Sequence, residues 1–200
     1  MSPPENEFPA GVGRTVLLGR TEDAAVGITQ IEAFSTGFRF TLAVRLRRVP
    51  AELDHGRLFM LIGRHALRDA NISLEQRLLL GLEYPDGRRA STLGDPLPRP
   101  GAMADAQGLV LTPQGGGGGR QGVDQTYWVS PLPPDGPVTF VLAWPGFGLP
   151  ESRTVVDGAA IRTAAERSQL LWPAEPPGEP AEPPPPPPRP SSGWFADPAD

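Results

Sequence analysis

Between Gly37 and Arg48 hydrophobic and polar positions alternate, with Phe38, Phe40, Leu42, Val44 and Leu46 separated by Arg39, Thr41, Ala43, Arg45 and Arg47. A repeat of two residues is that of a strand with one face buried and the other wet. A helix would scatter the same five apolar side chains around its circumference, so the pattern predicts a strand. Shorter runs of the same kind predict strands over Thr15 to Leu18, Ala24 to Phe34, Leu78 to Tyr84, Arg88 to Thr92, Leu109 to Thr112, Gln125 to Leu132 and Val138 to Trp144.

Pro85-Asp86-Gly87 lies between two of these runs. Proline presets φ, aspartate caps locally and glycine accepts positive φ, so Leu78 to Tyr84 and Arg88 to Thr92 are expected to form an antiparallel hairpin. Asp135-Gly136 makes a similar break before Val138. Short strands separated by Gly/Pro turns, without a regular alternation of helices, predict a mainly β protein: an antiparallel β-sandwich, immunoglobulin-like. A helix is expected at its C-terminal end, where Asp157 can cap Gly158 to Leu171, Ile161, Ala164, Ala165, Ser168 and Leu171 recur at helical spacing, and Pro173 stops the run. A strand after an Asp157-Gly158 turn is the other reading of that segment. A second helix is expected within Glu52 to Arg68, although Gly56 and Gly63 each cost it about 1 kcal/mol relative to alanine.

Composition divides the chain. Twelve prolines fall in the 28 residues from Pro173 onward, six of them consecutive at Pro183 to Pro188. Without backbone donors and with φ fixed, such a chain settles into polyproline II rather than a helix or sheet. The expected organisation is a flexible N-terminus over 1–13, a β-sandwich over 14–172 and a disordered acidic tail over 173–200. Five acids against Arg189 give the tail a net charge of −4, which leaves 18 acids and 17 arginines in residues 1–172. Neither part has the positive balance that binding a phosphate backbone requires, so no nucleic-acid partner is expected.

The longest large-apolar run, Leu58 to Ile62, has five residues, against the ~20 of a membrane-spanning helix. No membrane partner is expected. Met1 to Arg14 carries acids and prolines in place of the positive and apolar regions of a secretory signal, so a cytoplasmic location is expected. There is no cysteine and only two histidines, His55 and His65, which removes thiol nucleophiles and Cys- or His-rich metal sites within the chain. No Gly-x-Ser-x-Gly elbow is present for a serine nucleophile. No cofactor, metal or catalytic residue is therefore assigned.

Three features could bind something. Gly115 to Gly119 followed by Arg120 lacks the Gly-Lys-Ser/Thr ending of a phosphate loop, and no helical pattern opens after it. A flexible connection is its default reading, and anion contact through Gly117, Gly118, Gly119 and Arg120 is the alternative. Trp128 alternates with Tyr127, so one of the two must point away from the core unless the strand is buried on both faces, and the outward one is a surface candidate. In the tail, Pro184, Pro187 and Arg189 fit a PxxPxR pattern suited to aromatic-lined grooves, and Trp194-Phe195 could anchor a short peptide. The arginines at 45, 47, 48, 88 and 89 could grip carboxylates or phosphates, but a chain whose 18 basic residues are all arginine uses arginine for routine solubility as well.

The segment QTYWVSPLPPDGPVTFVLAWPGFGLPE, preceded by the glycine run and followed by TVVDGAAIRTAAERSQLLWP, resembles a family of small uncharacterised β-rich proteins from high-GC actinobacteria. The resemblance covers roughly residues 14–173. It implies a β-rich body and the absence of lysine is consistent with GC-rich coding, but it implies no activity, cofactor or site residue. A non-catalytic binding module with a protein partner at the tail is therefore the expected function. The alternative is a small-molecule or anion-binding protein, enzymatic or not, using the Gly115 to Arg120 loop, nearby arginines and Trp128.

Overall fold

Each strand expected from alternation forms in the computed structural model, which describes residues 2–50, 57–62, 72–93 and 108–173. The N-terminal segment, expected to be flexible, contributes β1 (Glu7–Phe8) and β2 (Ala10–Gly11). There follow β3 (Val16–Arg20), β4 (Ala24–Phe34) and β5 (Gly37–Leu46), then a short helix α1 (Arg57–Ile62), β6 (Leu79–Glu83) and β7 (Arg89–Ser91). The second half comprises β8 (Val110–Gly118), β9 (Gly122–Ser130), β10 (Pro137–Trp144), β11 (Leu149–Asp157), helix α2 (Gly158–Ala165) and β12 (Gln169–Leu170).

The fold is mainly β and its sheets are antiparallel. One large sheet has the order β2-β4-β5-β9-β8, with β3 also paired to β4, the other large sheet has the order β11-β10-β6-β7, and β1 and β12 form a two-stranded third. The hairpin predicted around Pro85-Asp86-Gly87 is present as β6 and β7, with Gly87 at φ 85°. The alternating residues of β5 all face inward, and Phe38, Phe40, Leu42, Val44 and Leu46 are buried. Each such side chain contributes about 1.5–3 kcal/mol on leaving water. Phe40 stacks on Tyr127 of the same sheet at 5.4 Å and meets Phe140 of the other sheet edge-on at 5.2 Å, so both sheets share one core.

In β4 the inward set changes phase, from Ala24, Val26 and Ile28 to Ile31 and Ala33. The register shifts against β5 between Ile28 and Gln30, and the extra residue, Thr29, brings both halves of the strand to face the core. β11 has no simple alternation in the sequence: Glu151, Ser152, Arg153 and Thr154 lie on a sheet edge, where both faces tolerate polar groups.

Helix α2 starts where expected, with the Asp157 carboxylate accepting the Ala159 N–H at 2.9 Å, but it ends at Ala165 and not at Leu171. Tight bonds from Arg167 N–H to the Ala164 carbonyl and from Ser168 N–H to the Ala165 carbonyl close it. The following residues are taken by β1, through Glu7 opposite Leu170 and Phe8 opposite Gln169. Ser168 and Leu171 thus lie outside the helix. The helix within Glu52 to Arg68 is present as α1, with Leu58, Leu61 and Ile62 buried. His55, His65 and the tail from residue 174 lie outside the described residues.

Candidate functional site

Four connections come together at one end of the two sheets. The β3–β4 turn meets the chain leaving β5, where the Arg47 N–H donates to the Asp23 carbonyl at 2.8 Å. The β8–β9 turn lies beside it, with the Leu46 N–H donating to the Gln121 carbonyl at 2.8 Å and Gln121 Nε2 to the Arg47 carbonyl at 3.3 Å. Across from them, the β10–β11 connection makes one turn of 3-10 helix at Pro145–Phe147 and ends on Gly148 at φ 67°, a left-handed conformation that favours glycine. Between 21–23, 48–50 and 146–148 opens a cleft of about 520 Å³, with Thr21, Glu22, Asp23, Arg48 and Phe147 in its walls.

The far wall of the cleft is anchored in the core. Phe147 packs on Trp144 with ring centroids 3.9 Å apart, and Trp144 is buried with its Nε1 donating to the Gln76 carbonyl at 2.9 Å. The near wall is charged. Oδ1 of Asp23 is buried and accepts no hydrogen bond from the described residues, while Nε of Arg48 stands 3.7 Å away. Glu22 pairs loosely with Arg47 at 3.6 Å. Two carboxylates, a guanidinium and an aromatic ring offer polar recognition with an apolar backing. No group of three His, Cys, Asp or Glu side chains that could hold a metal is found among the described residues, and no described helix is long and apolar enough to cross a membrane.

The glycine run differs from its default reading. Gly115 to Gly118 belong to β8, with Gly116, Gly117 and Gly118 opposite Gln125, Asp124 and Val123, and only 119–121 form the turn. Gln125, buried on β9, supports this arm: its Nε2 donates to the Gly115 carbonyl at 2.9 Å. A Cβ on Gly116 would lie 2.8 Å from Gln125 Oε1, and one on Gly118 would lie 2.6 Å from the Gly122 carbonyl, whereas Gly115, Gly117 and Gly119 face open space. Two of the five glycines are therefore required by close approach. None of Gly117, Gly118, Gly119 and Arg120 lines the cleft.

Trp128 is also corrected. It lies six residues along β9 from Gly122, roughly 20 Å at about 3.3 Å per residue, and so at the opposite end from Arg120. It does point away from the core that holds Tyr127, yet only 1% of it is exposed. Gly37 provides its seat, since a Cβ there would stand 2.6 Å from Trp128 Cζ2, and Phe34 covers it edge-on at 5.5 Å. Its Nε1 has no hydrogen-bond partner among the described residues.

The arginines on the outer strand faces meet carboxylates. Arg45 pairs with Asp124 at 2.8 Å, Arg88 with Asp86 at 2.7 Å, and Glu83 sits between Arg89 at 2.8 Å and Arg153 at 3.1 Å. Hydrogen bonds from Arg89, then charge and the bonds from Arg153, hold the Glu83 carboxyl below its ordinary range, and the bond from Arg88 does the same for Asp86. These exposed pairs are worth little individually. They use the guanidinium groups within the fold. Of the residues singled out in the tail, Pro184, Pro187, Arg189, Trp194 and Phe195 all lie outside the described residues.

The cleft was not legible from sequence because its walls come from three separated segments. The signal available was local: Thr21-Glu22-Asp23 stands between two strands, and Pro145-Gly146-Phe147-Gly148 follows the strongest strand of the second half. No family model, curated protein or solved structure matches the chain.

Proposed function

We propose that this protein is a non-catalytic interaction module, an immunoglobulin-like sandwich that recognises a partner in the cytoplasm through the connections at one end. The strand orders support the fold reading. Taking β4, β5, β9 and β8 as strands A, B, E and D, and β6, β7, β10 and β11 as C, C′, F and G, the sheets read A-B-E-D and C′-C-F-G. With β2 and β3 set aside, that order supports an immunoglobulin-type arrangement, in which connections cluster at the two ends of the sandwich and one cluster commonly binds.

The observation that carries the functional reading is the convergence of 21–23, 48–50 and 146–148 around the cleft, with the 119–121 turn bonded behind it to residues 46 and 47. A partner seated there would meet Asp23, Arg48 and Phe147 on a supported framework. The tail, with Trp194 and Phe195, is a second proposed contact.

The test is photo-crosslinking of the full chain in cells from a benzoylphenylalanine placed at Val49, with a control placed at Thr139 on the outer face of β10. A discrete adduct from position 49, absent from position 139 and lost on Asp23→Arg with an unchanged melting temperature, is expected. Equal adducts from both positions, or none from the loop end, would overturn the reading. Trp194→Ala with Phe195→Ala measures the contribution of the tail to the same adduct.

A further inference from the structure

Sheet edges expose unpaired backbone groups and are usually shielded by shortness, charge, proline, bulges or a covering element. Three edges here are shielded. β3 and β11 turn toward each other: the Ser152 hydroxyl donates to the Leu18 carbonyl at 3.0 Å, and a Cβ on Gly19 would stand 3.1 Å from side chains of Leu142 and Leu149. β7 has three residues and carries Arg89. β8 is shielded in its first half alone, by Pro113 and by the register shift between Pro113 and Gly116.

Beyond that shift no described residue covers the edge. Every residue from Gln114 to Arg120 is exposed. The turn is closed by a bond from the Gly119 N–H to the Gly122 carbonyl at 2.8 Å. Antiparallel pairs alternate between bonded and non-bonded, so Gly118 opposite Val123 and Gly116 opposite Gln125 turn their N–H and C=O groups outward. No side chain from 115–119 overhangs those four groups, although glycine within a strand is itself costly. Arg120 stands at the end of this edge, exposed and without an ion pair among the described residues.

We propose that the β8 edge over Gly115 to Gly118 docks an extended acidic segment of a partner protein as an added strand, with Arg120 holding one of its carboxylates. This rests on the interaction-module reading and adds a second surface to it. An extended segment is what the edge selects, because the edge offers only outward backbone donors and acceptors. Acidity follows from the exposed guanidinium beside it, which has no ion pair among the described residues. A second copy of this chain fits less well, because so short a glycine edge buries far less than the ~1,200 Å² at which stable interfaces begin.

The probe is a fluorescent eight-residue peptide alternating threonine and glutamate, compared with the same peptide N-methylated at alternate residues and with a threonine–lysine counterpart. Titration into the full-length ¹⁵N-labelled protein should shift the Gly116 and Gly118 amides and slow their exchange. N-methylation and Arg120→Glu should each weaken binding at least tenfold, with the melting temperature unchanged. Equal binding of the N-methylated or lysine peptide overturns the proposal, as does the absence of binding at millimolar peptide. Protection of the same amides by rising protein concentration alone would overturn it in favour of a second copy. If the cleft crosslink persists while these amides stay unperturbed, the edge proposal fails and the module reading stands; loss of the crosslink result alone has the converse meaning.

Discussion

The Glu7 carboxylate accepts both the backbone N–H of Ser35 at 2.6 Å and its hydroxyl at 2.7 Å, joining the N-terminal strand to the β4–β5 turn across 28 positions of sequence. Glu7 is one of three buried polar or charged residues among those described, with 7% of its surface exposed. Burial pushes its carboxyl up, but hydrogen bonds from Ser168 and Ser35 outweigh that and hold it below the ordinary range.

Glu7 should therefore make stability depend on acid. A carboxyl whose folded pKa is lowered contributes stability that is present above its unfolded value of 4.5 and is lost as pH falls through the folded value. Glu7→Gln should cost about 1–3 kcal/mol at neutral pH. It should also flatten the loss of urea midpoint below pH 4.5. A variant whose acid limb matches the parent would show that Glu7 does not set it.

The glycine arm should respond to alanine by position. Gly116→Ala and Gly118→Ala place a Cβ 2.8 Å from Gln125 Oε1 and 2.6 Å from the Gly122 carbonyl, and overpacking of this kind costs about 1–3 kcal/mol. Gly117→Ala enters open space and should stabilise by roughly 0.5 kcal/mol, through the unfolded chain and strand preference. Urea denaturation of the three single variants checks the alternation; equal effects would mean that the arm is not held as a strand.

The two buried indoles should differ. Trp144→Phe leaves the Gln76 carbonyl without its donor, whereas Trp128→Phe removes a donor that has no partner among the described residues. Both open space in packed surroundings, so both should destabilise, with Trp144→Phe worse by about 1 kcal/mol. Chemical denaturation of both variants measures the difference.

Both tyrosines are buried donors, Tyr84 to the Pro131 carbonyl at 2.6 Å and Tyr127 to the Ile62 carbonyl at 3.2 Å. Burial raises both phenols above their ordinary range; at Tyr84 the nearby Arg88 opposes this and Asp86 adds to it. For a group whose folded pKa is raised, stability is complete below the unfolded value of 10.0 and falls as pH rises beyond it. Phenolate absorbance should thus appear together with alkaline loss of the β circular-dichroism signal. A tyrosine titrating near pH 10 in the folded protein would contradict its burial.

Alternation in β5 and β10, the Pro85-Asp86-Gly87 turn and the Asp157 cap were readable because each is a local preference that the fold does not oppose. The misread segments were those where a distant contact overrides local preference. The glycine run has no side chain to show a period, and its strand is held by Gln125 and the β9 backbone. The helix at Gly158 stops early because β1 recruits 169–170, a pairing no local pattern announces.

The sequence by itself determined which face is buried in the strands that alternate cleanly, β5 and β10, because alternation at a period of two assigns a side without reference to any partner. It also determined the division into a near-neutral body and an acidic proline-rich end. Tertiary structure decided which strands are neighbours, that Gly37 and Phe34 cover an outward Trp128, and that Asp23, Arg48 and Phe147 meet around one cleft. Those relations depend on the approach of segments far apart in the chain, and such approaches are selected by packing of the whole core rather than by the preference of any one segment.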